Sequence, residues 1–203
     1  MPWGLRRTAG RELSARLGAN PADVIVAGAD VEYPAVAAGM PVTGRGARHL
    51  LRIGAYAVAL HRALVEQSVE EEAATMLASD VVFAAIRPGR DVFVAVARLR
   101  HRDRLRRALW TSRIARRFYY TEPDWEMEDI PVEGGFGMDV TRCVVAEIFD
   151  SLGMSEFCHR VICDQDARDA AYRHIGFERS GTLAGGAARC DFRYHVPNAR
   201  AAL

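Results

Sequence analysis

Lysine is absent from this 203-residue sequence; all 27 basic residues are arginine. The absence excludes a lysine Schiff base, a lysine general base and a phosphate-loop lysine. No uncharged apolar run reaches the roughly 18 residues that a spanning helix needs. From Met1 to Ser14, Arg6, Arg7, Arg11 and Glu12 interrupt the few apolar side chains, so no secretory h-region is read there. Also missing are a dinucleotide glycine fingerprint, a Walker loop, a zinc-protease helix and a nucleophile-elbow serine. Net charge is only +1, with 26% charged residues, which gives no global bias toward polyanions and no acidic tail. These absences lead to the expectation of a cytoplasmic protein that needs neither membrane nor nucleic acid.

Half of the residues are apolar or aromatic, enough for one substantial core, so residues 1–203 are expected to form a single domain. Residues 8 to 18 read as a short helix. The Gly- and Pro-containing stretch Ala22 to Thr43 reads as irregular or extended. Residues 46 to 66 read as a helix, because Leu50, Leu51, Ile53, Tyr56, Val58, Leu60 and Leu64 make a broad apolar face. A second helix is expected from Ser68, where Ser68 and Glu71 fit a capping box, to about Ile86, before Arg87-Pro88-Gly89. Residues 91 to 97 fit strand or helix. Arg98 to Arg117 holds nine arginines, but Glu122 to Glu133 follows with six acids and no base. Charges that close largely cancel, and sequence-independent nucleic-acid binding needs an unbalanced basic patch.

Further along, Phe118 to Tyr120 reads as a strand opening. Phe136 to Val140 reads as a strand that leads into a helix from Cys143 to Leu152. A long helix is expected from Ser155 to Ile175, then a hairpin of Phe177 to Leu183 and Arg189 to Val196 around Gly185-Gly186. Helices first and strands mostly later make the class α+β, with an N-terminal helical half and C-terminal helices packed on a small antiparallel sheet.

The four cysteines, Cys143, Cys158, Cys163 and Cys190, all lie in the C-terminal third. In a chain of this length reduced thiols are the default. Each is then a small core residue, a metal ligand or a nucleophile. Strand alternation puts Cys190, Phe192 and Tyr194 on one face, and Asp191, Arg193 and His195 on the other. Aromatic neighbours make the Cys190 face the buried one. Cys163 and Asp166 share a helix face at a spacing of three. A carboxylate beside a thiol raises the thiol pKa, so Asp166 suits a cationic substrate group better than it suits thiol activation. Cys143 stands at a strand-to-helix junction, where the helix dipole favours a thiolate, with Glu147 four residues on. A metal is not favoured: Cys158 and Cys163 form only one loose pair, and positions five apart share an α-helix face poorly.

Three ordered blocks carry a resemblance. They are Asp139-Val-Thr-Arg-Cys143-Val-Val-Ala-Glu147-Ile-Phe149, Cys163-Asp-Gln-Asp166, and Arg179-Ser-Gly-Thr182-Leu-Ala-Gly-Gly186-Ala-Ala-Arg-Cys190-Asp191-Phe192-Arg193-Tyr194. Together they resemble the signature of the L-2-amino-thiazoline-4-carboxylic acid hydrolase family, most clearly from Phe136 to His195. The name-giving reaction opens a cyclic isothiourea with water to give an N-carbamoyl cysteine. The resemblance therefore implies a hydrolase that acts on a C–N or C–S bond of a small ring, or a related biosynthetic tailoring step. An amidinium would meet Asp166 or Asp191, and a substrate carboxylate would meet Arg142 or Arg193. Cys190 is the first choice as nucleophile, ahead of Cys163 and Cys143. The other route is water activated by a metal on those thiolates. Thr182 would position substrate. The alternative is a non-catalytic binding or sensor domain on the same scaffold. The expected partner is a small-molecule substrate, and homo-oligomerisation is left open.

Overall fold

A computed structural model describes residues 3–40 and 44–196. The class is α+β, as the order of patterns implies. The chain forms two compact units. One holds residues up to Pro88 together with 160–162; the other holds 89–159 and 163 onward.

The first unit is helical. Helix α1 spans Trp3–Leu17, α2 Ala19–Ala38 and α3 Arg45–Glu66. Leu13, Ile25, Leu51, Tyr56, Val58, Leu60 and Leu64 are fully buried, and the Tyr33 and Tyr56 rings meet at 6.0 Å. Gly28 of α2 lets the backbone approach α3, since a Cβ there would sit 3.3 Å from the Ala63 methyl. Arg6 fastens α1 to α2 through Asp30 at 2.6 Å.

The stretch expected to be irregular, Ala22 to Thr43, is helical as far as Ala38; residues 41–43 lie outside the described residues. Its buried positions Ala22, Ile25, Val26, Ala29, Tyr33 and Val36 follow a helical stripe. Burial of that stripe outweighs the hydrogen bond that Pro34 removes. Pro21 falls in the first turn, where the missing N–H costs nothing.

Helix α4 spans Glu71–Arg98 and carries the chain from one unit into the other. Two expectations fail here. Ser68 has φ 63° and stands apart from the helix, and the Glu70 carboxylate instead accepts the Glu72 and Ala73 N–H groups at 3.0 Å each. The helix also runs through Arg87-Pro88-Gly89 instead of stopping, so residues 91–97 are helical and the last third of α4 delivers Arg90 to the second unit.

In the second unit, α5 (Arg104–Phe118) begins at Asp103, whose side chain accepts the Arg106 N–H at 2.8 Å. Phe118 to Tyr120 ends this helix and does not open a strand. Arg116 pairs with Asp129, so part of the arginine-rich run is met by the acidic run that follows it. Strands β1 (Trp125–Ile130), β2 (Gly135–Cys143), β3 (Gly176–Glu178) and β4 (Cys190–His195) form an antiparallel sheet of order β1-β2-β4-β3. Between β2 and β3 lie α6 (Val144–Ser151), α7 (Ser155–Cys158), a π-helical turn (His159–Cys163) and α8 (Gln165–Tyr172). The long helix expected here is therefore interrupted by a wider turn.

Register defines the two faces of this sheet. Phe136 pairs with Tyr194, Met138 with Phe192, and Val140 with Cys190. Directly opposed residues share a face, and the Phe136 and Tyr194 rings stack at 4.7 Å. The opposite face carries Asp139, Asp191, Arg193 and His195. Gly137 stands opposite Arg193 and Gly176 against the His195 ring; a Cβ at either would collide with the side chain lying across it. No helix is long and apolar enough to cross a membrane among the described residues.

Candidate active site

One residue out of step builds the site. In the β1–β2 pairing Trp125 opposes Cys143 and Glu126 opposes Arg142, but Met127 opposes Val140. Thr141 is thus the extra residue of a β-bulge, and a bulge re-aims the side chains beyond it. Strict alternation would put Arg142 on the Cys190 face and Cys143 on the other. With the bulge, Cys143 instead lies in electrostatic range of Cys163 and Tyr120, the groups that also surround Cys190 and Tyr194. Arg142 points elsewhere, forked onto Glu147 at 2.8 and 3.2 Å and onto the Pro123 carbonyl. Glu147 is therefore the partner of Arg142, not of Cys143.

A second irregularity supplies the other wall. In the π turn the Asp164 N–H reaches back to the His159 carbonyl at 3.1 Å, one residue further than in an α-helix. That widening lets Cys158 and Cys163, five apart, hydrogen-bond through their sulfurs; a regular α-helix keeps such positions apart, as the sequence reading assumed. It also places Cys163 and Asp166 beside the sheet cysteines.

Arg179 locks this segment. Its side chain is 8% exposed, and its guanidinium lies 5.8 and 5.7 Å from the Phe177 and Phe192 ring centres. It donates to the Cys163 carbonyl at 2.9 Å and to Asp164 at 3.0 Å, and stands 3.8 Å from Asp166. Arg90 approaches Asp166 at 3.9 Å and Asp169 at 3.6 Å. Tyr120 hydrogen-bonds to Arg90, and Tyr194 senses the same charges.

Electrostatics shows how enclosed these groups are. Burial pushes Asp166 up, more than Arg90 and Arg179 pull it down. Yet 31% of its side chain and 29% of that of Arg90 stay accessible. Asp166 and Arg90, strongly desolvated yet still reached by solvent, mark the candidate recess. Burial pushes Cys143 up to about 11, although the Val145 and Ala146 N–H groups and Trp125 all donate to it. The helix N-terminus expected to favour a thiolate is therefore present but outweighed. Cys190 also rises to about 11 by burial, against a Leu183 N–H that donates to its sulfur at 3.2 Å. The hydrogen bond to Cys158 and burial hold Cys163 higher still. Tyr120 is pushed up to about 12 and Tyr194 well above its usual value, so both carry protons at neutral pH. Among the described residues no three His, Cys, Asp or Glu side chains are arranged to hold a metal ion.

A match to the family model for L-2-amino-thiazoline-4-carboxylic acid hydrolases covers residues 48–194. The chain belongs to that family. The match to the hydrolase family contains every residue of the recess, from Arg90 to Tyr194, and leaves α1 and α2 outside it. No curated protein and no solved structure matches the chain.

Of the positions singled out from sequence, this hydrolase-family fold gathers Cys143, Cys163, Cys190 and Asp166. Thr182, 1% exposed, stands behind them: its hydroxyl accepts the Gly185 N–H at 2.9 Å and meets His159 Nδ1 at 2.8 Å. Thr182 thereby shapes the turn whose Leu183 N–H caps Cys190. Asp191 and Arg193 lie on the other face. Asp191 accepts from Ser180 and Gly181, whose donors outweigh partial burial and hold its pKa low. Arg193 pairs with Asp139 at 2.8 Å. Sequence reasoning missed Arg90, Arg179, Tyr120 and Tyr194 as neighbours of these groups. A lone cation two positions after Phe177 and inside the third block was the available signal for Arg179.

Thr182→Val keeps the shape but removes the hydroxyl. A loss of about 1–2 kcal/mol in denaturant unfolding is expected, the usual cost of stranding a buried partner.

Proposed function

We propose that this hydrolase-family protein opens a small cyclic amidine or isothiourea, thiazoline-carboxylate-like or closely related, by cleaving a ring C–S or C–N bond. The observation that carries the reading is the convergence of Cys190, Cys163, Cys143 and Asp166 in one solvent-reached recess. Asp166 receives the amidinium, because a desolvated carboxylate gains most from a cationic partner. The cation so bound also favours ionisation of the neighbouring thiol.

Cys190 then attacks the amidine carbon. The C–Sγ bond forms, the ring C–S bond breaks, and the thiol proton passes to the departing ring sulfur. Water adds to the resulting isothiourea; the carbon keeps the oxygen as a urea carbonyl and Cys190 regains its proton. Half-buried Tyr120 and Tyr194, which keep their protons, are O–H donors for charge that develops on the leaving atom. The four free cysteines suit a reducing compartment, and we place the activity in the cytoplasm.

Burial that keeps the three thiols protonated favours a second reading, a domain that binds the ring without opening it. Incubation with 2-amino-thiazoline-4-carboxylate separates the two. Free thiol should appear in step with loss of the ring. Saturable binding with no thiol release supports the second reading instead.

A further inference from the structure

The arginines first matched to a substrate carboxylate, Arg142 and Arg193, are occupied outside the recess. Arg90 is within it. Its guanidinium sits 3.9 Å from Asp166 and 3.6 Å from Asp169, both beyond the reach of a good N–H···O bond. Each of those carboxylates has another cation: Arg173 holds Asp169 at 2.9 Å, and Arg179 stands 3.8 Å from Asp166. Neither therefore makes a close fork with Arg90. The planar fork of arginine is best filled by a carboxylate that takes two parallel hydrogen bonds.

Charge balance narrows the ligand further. Arg90 and Asp166 form an adjacent, loosely held dipole in a site where burial weakens screening. A lone anion would strip Arg90 from Asp166, and a lone cation would do the reverse. A ligand that brings both charges side by side compensates both groups at once.

We propose that Arg90 is the carboxylate receptor of the recess, and that Arg90 with Asp166 selects small zwitterionic rings over rings bearing only a cation. Arg90 takes the carboxylate, while Asp166 takes the amidinium, so the two dipoles lie antiparallel. Tyr120, bonded to Arg90, orients the guanidinium. The assignment rests on the ring-opening reading for the identity of the ring, but its prediction concerns binding as well as turnover.

The test compares 2-amino-thiazoline-4-carboxylate with the decarboxylated ring, 2-amino-thiazoline, by calorimetric binding and by thiol release. Wild-type protein should prefer the carboxylated ring by on the order of a hundredfold, the value of a charge-assisted pair. Arg90→Gln should collapse that ratio to within about threefold by weakening the carboxylated ring alone. Arg90→Lys keeps the charge without the fork and should stand between; it serves if the glutamine variant does not fold. Retained preference in Arg90→Gln, or in a folded Arg90→Lys with wild-type ratio, overturns the assignment and leaves the proposed function standing. A carboxylate preference that Arg90→Gln abolishes, without any thiol release, overturns the hydrolytic reading and supports the Arg90 assignment. A wild-type protein with no preference between the rings overturns the assignment.

Discussion

Cys190→Ser should lower kcat/KM for ring opening by at least about a thousandfold, the scale on which a lost nucleophile is felt. The serine hydroxyl can still accept the Leu183 N–H that the sulfur accepts at 3.2 Å, so the turn stays anchored and the unfolding midpoint should hardly move. Cys163→Ser should cost less, because that thiol is engaged by Cys158 and is the most strongly held in its protonated form. A Cys190→Ser variant with wild-type rate would remove Cys190 as nucleophile and pass the role to Cys163 or Cys143. The wild-type pH profile checks the same assignment. With Cys190 at about 11, the attacking thiolate is scarce at neutral pH, so kcat/KM should rise about tenfold per pH unit toward that value. A profile flat from pH 7 to 9 would exclude attack by a thiolate formed in the free enzyme. Stability runs the other way. The folded chain holds this proton more tightly than an unfolded thiol at the ordinary 9.0. The resulting stabilisation is complete below that value and is lost as pH rises from 9.0 toward 11.

Arg179→Met should destabilise the protein by about 2 kcal/mol, since it removes a charge-assisted hydrogen bond and leaves the part-buried Cys163 carbonyl without its donor. Methionine can fill the slot between Phe177 and Phe192, but the Cys163 carbonyl and Asp164 lose their donors. Arg179→Lys should not rescue, because an ammonium cannot stack on both rings and reach both oxygens. Activity separates positioning from mere stability. Arg179 pulls the Asp166 carboxyl down; without it, that carboxyl should hold its proton to higher pH. The acid limb of kcat/KM should then move upward in any folded Arg179 variant. An unmoved limb, with thermal stability intact, would show that Arg179 does not govern Asp166.

The elements that periodicity reveals were legible. Leu51, Tyr56, Val58, Leu60 and Leu64 bury one face of α3 as their spacing requires. Cys190, Phe192 and Tyr194 share a sheet face because strand alternation leaves no choice. Proline misled twice. Pro34 and Pro88 remove local hydrogen bonds, but helices of 20 and 28 residues absorb the loss; packing decided against propensity. The site was legible as residue types but not as a constellation. Cys143, Cys163, Cys190 and Asp166 were marked, yet two irregularities of backbone count bring them together, and neither the bulge nor the π turn has a strong sequence signature. Arg142 and Arg193 looked equivalent to Arg90 and Arg179 as cations; only the three-dimensional partners tell them apart.

The bulge at Thr141 works as a frame-shift in space. Arg142 and Cys143 are neighbours in the chain, and one surplus backbone unit decides which of them shares the sheet face of Cys190. Were Thr141 paired in the ladder instead of bulged out of it, alternation would present a guanidinium where the thiol now stands, without altering either side chain. The chemical character of this wall is thus held by a count of peptide units: the surplus one at Thr141 keeps Arg142 out and Cys143 in.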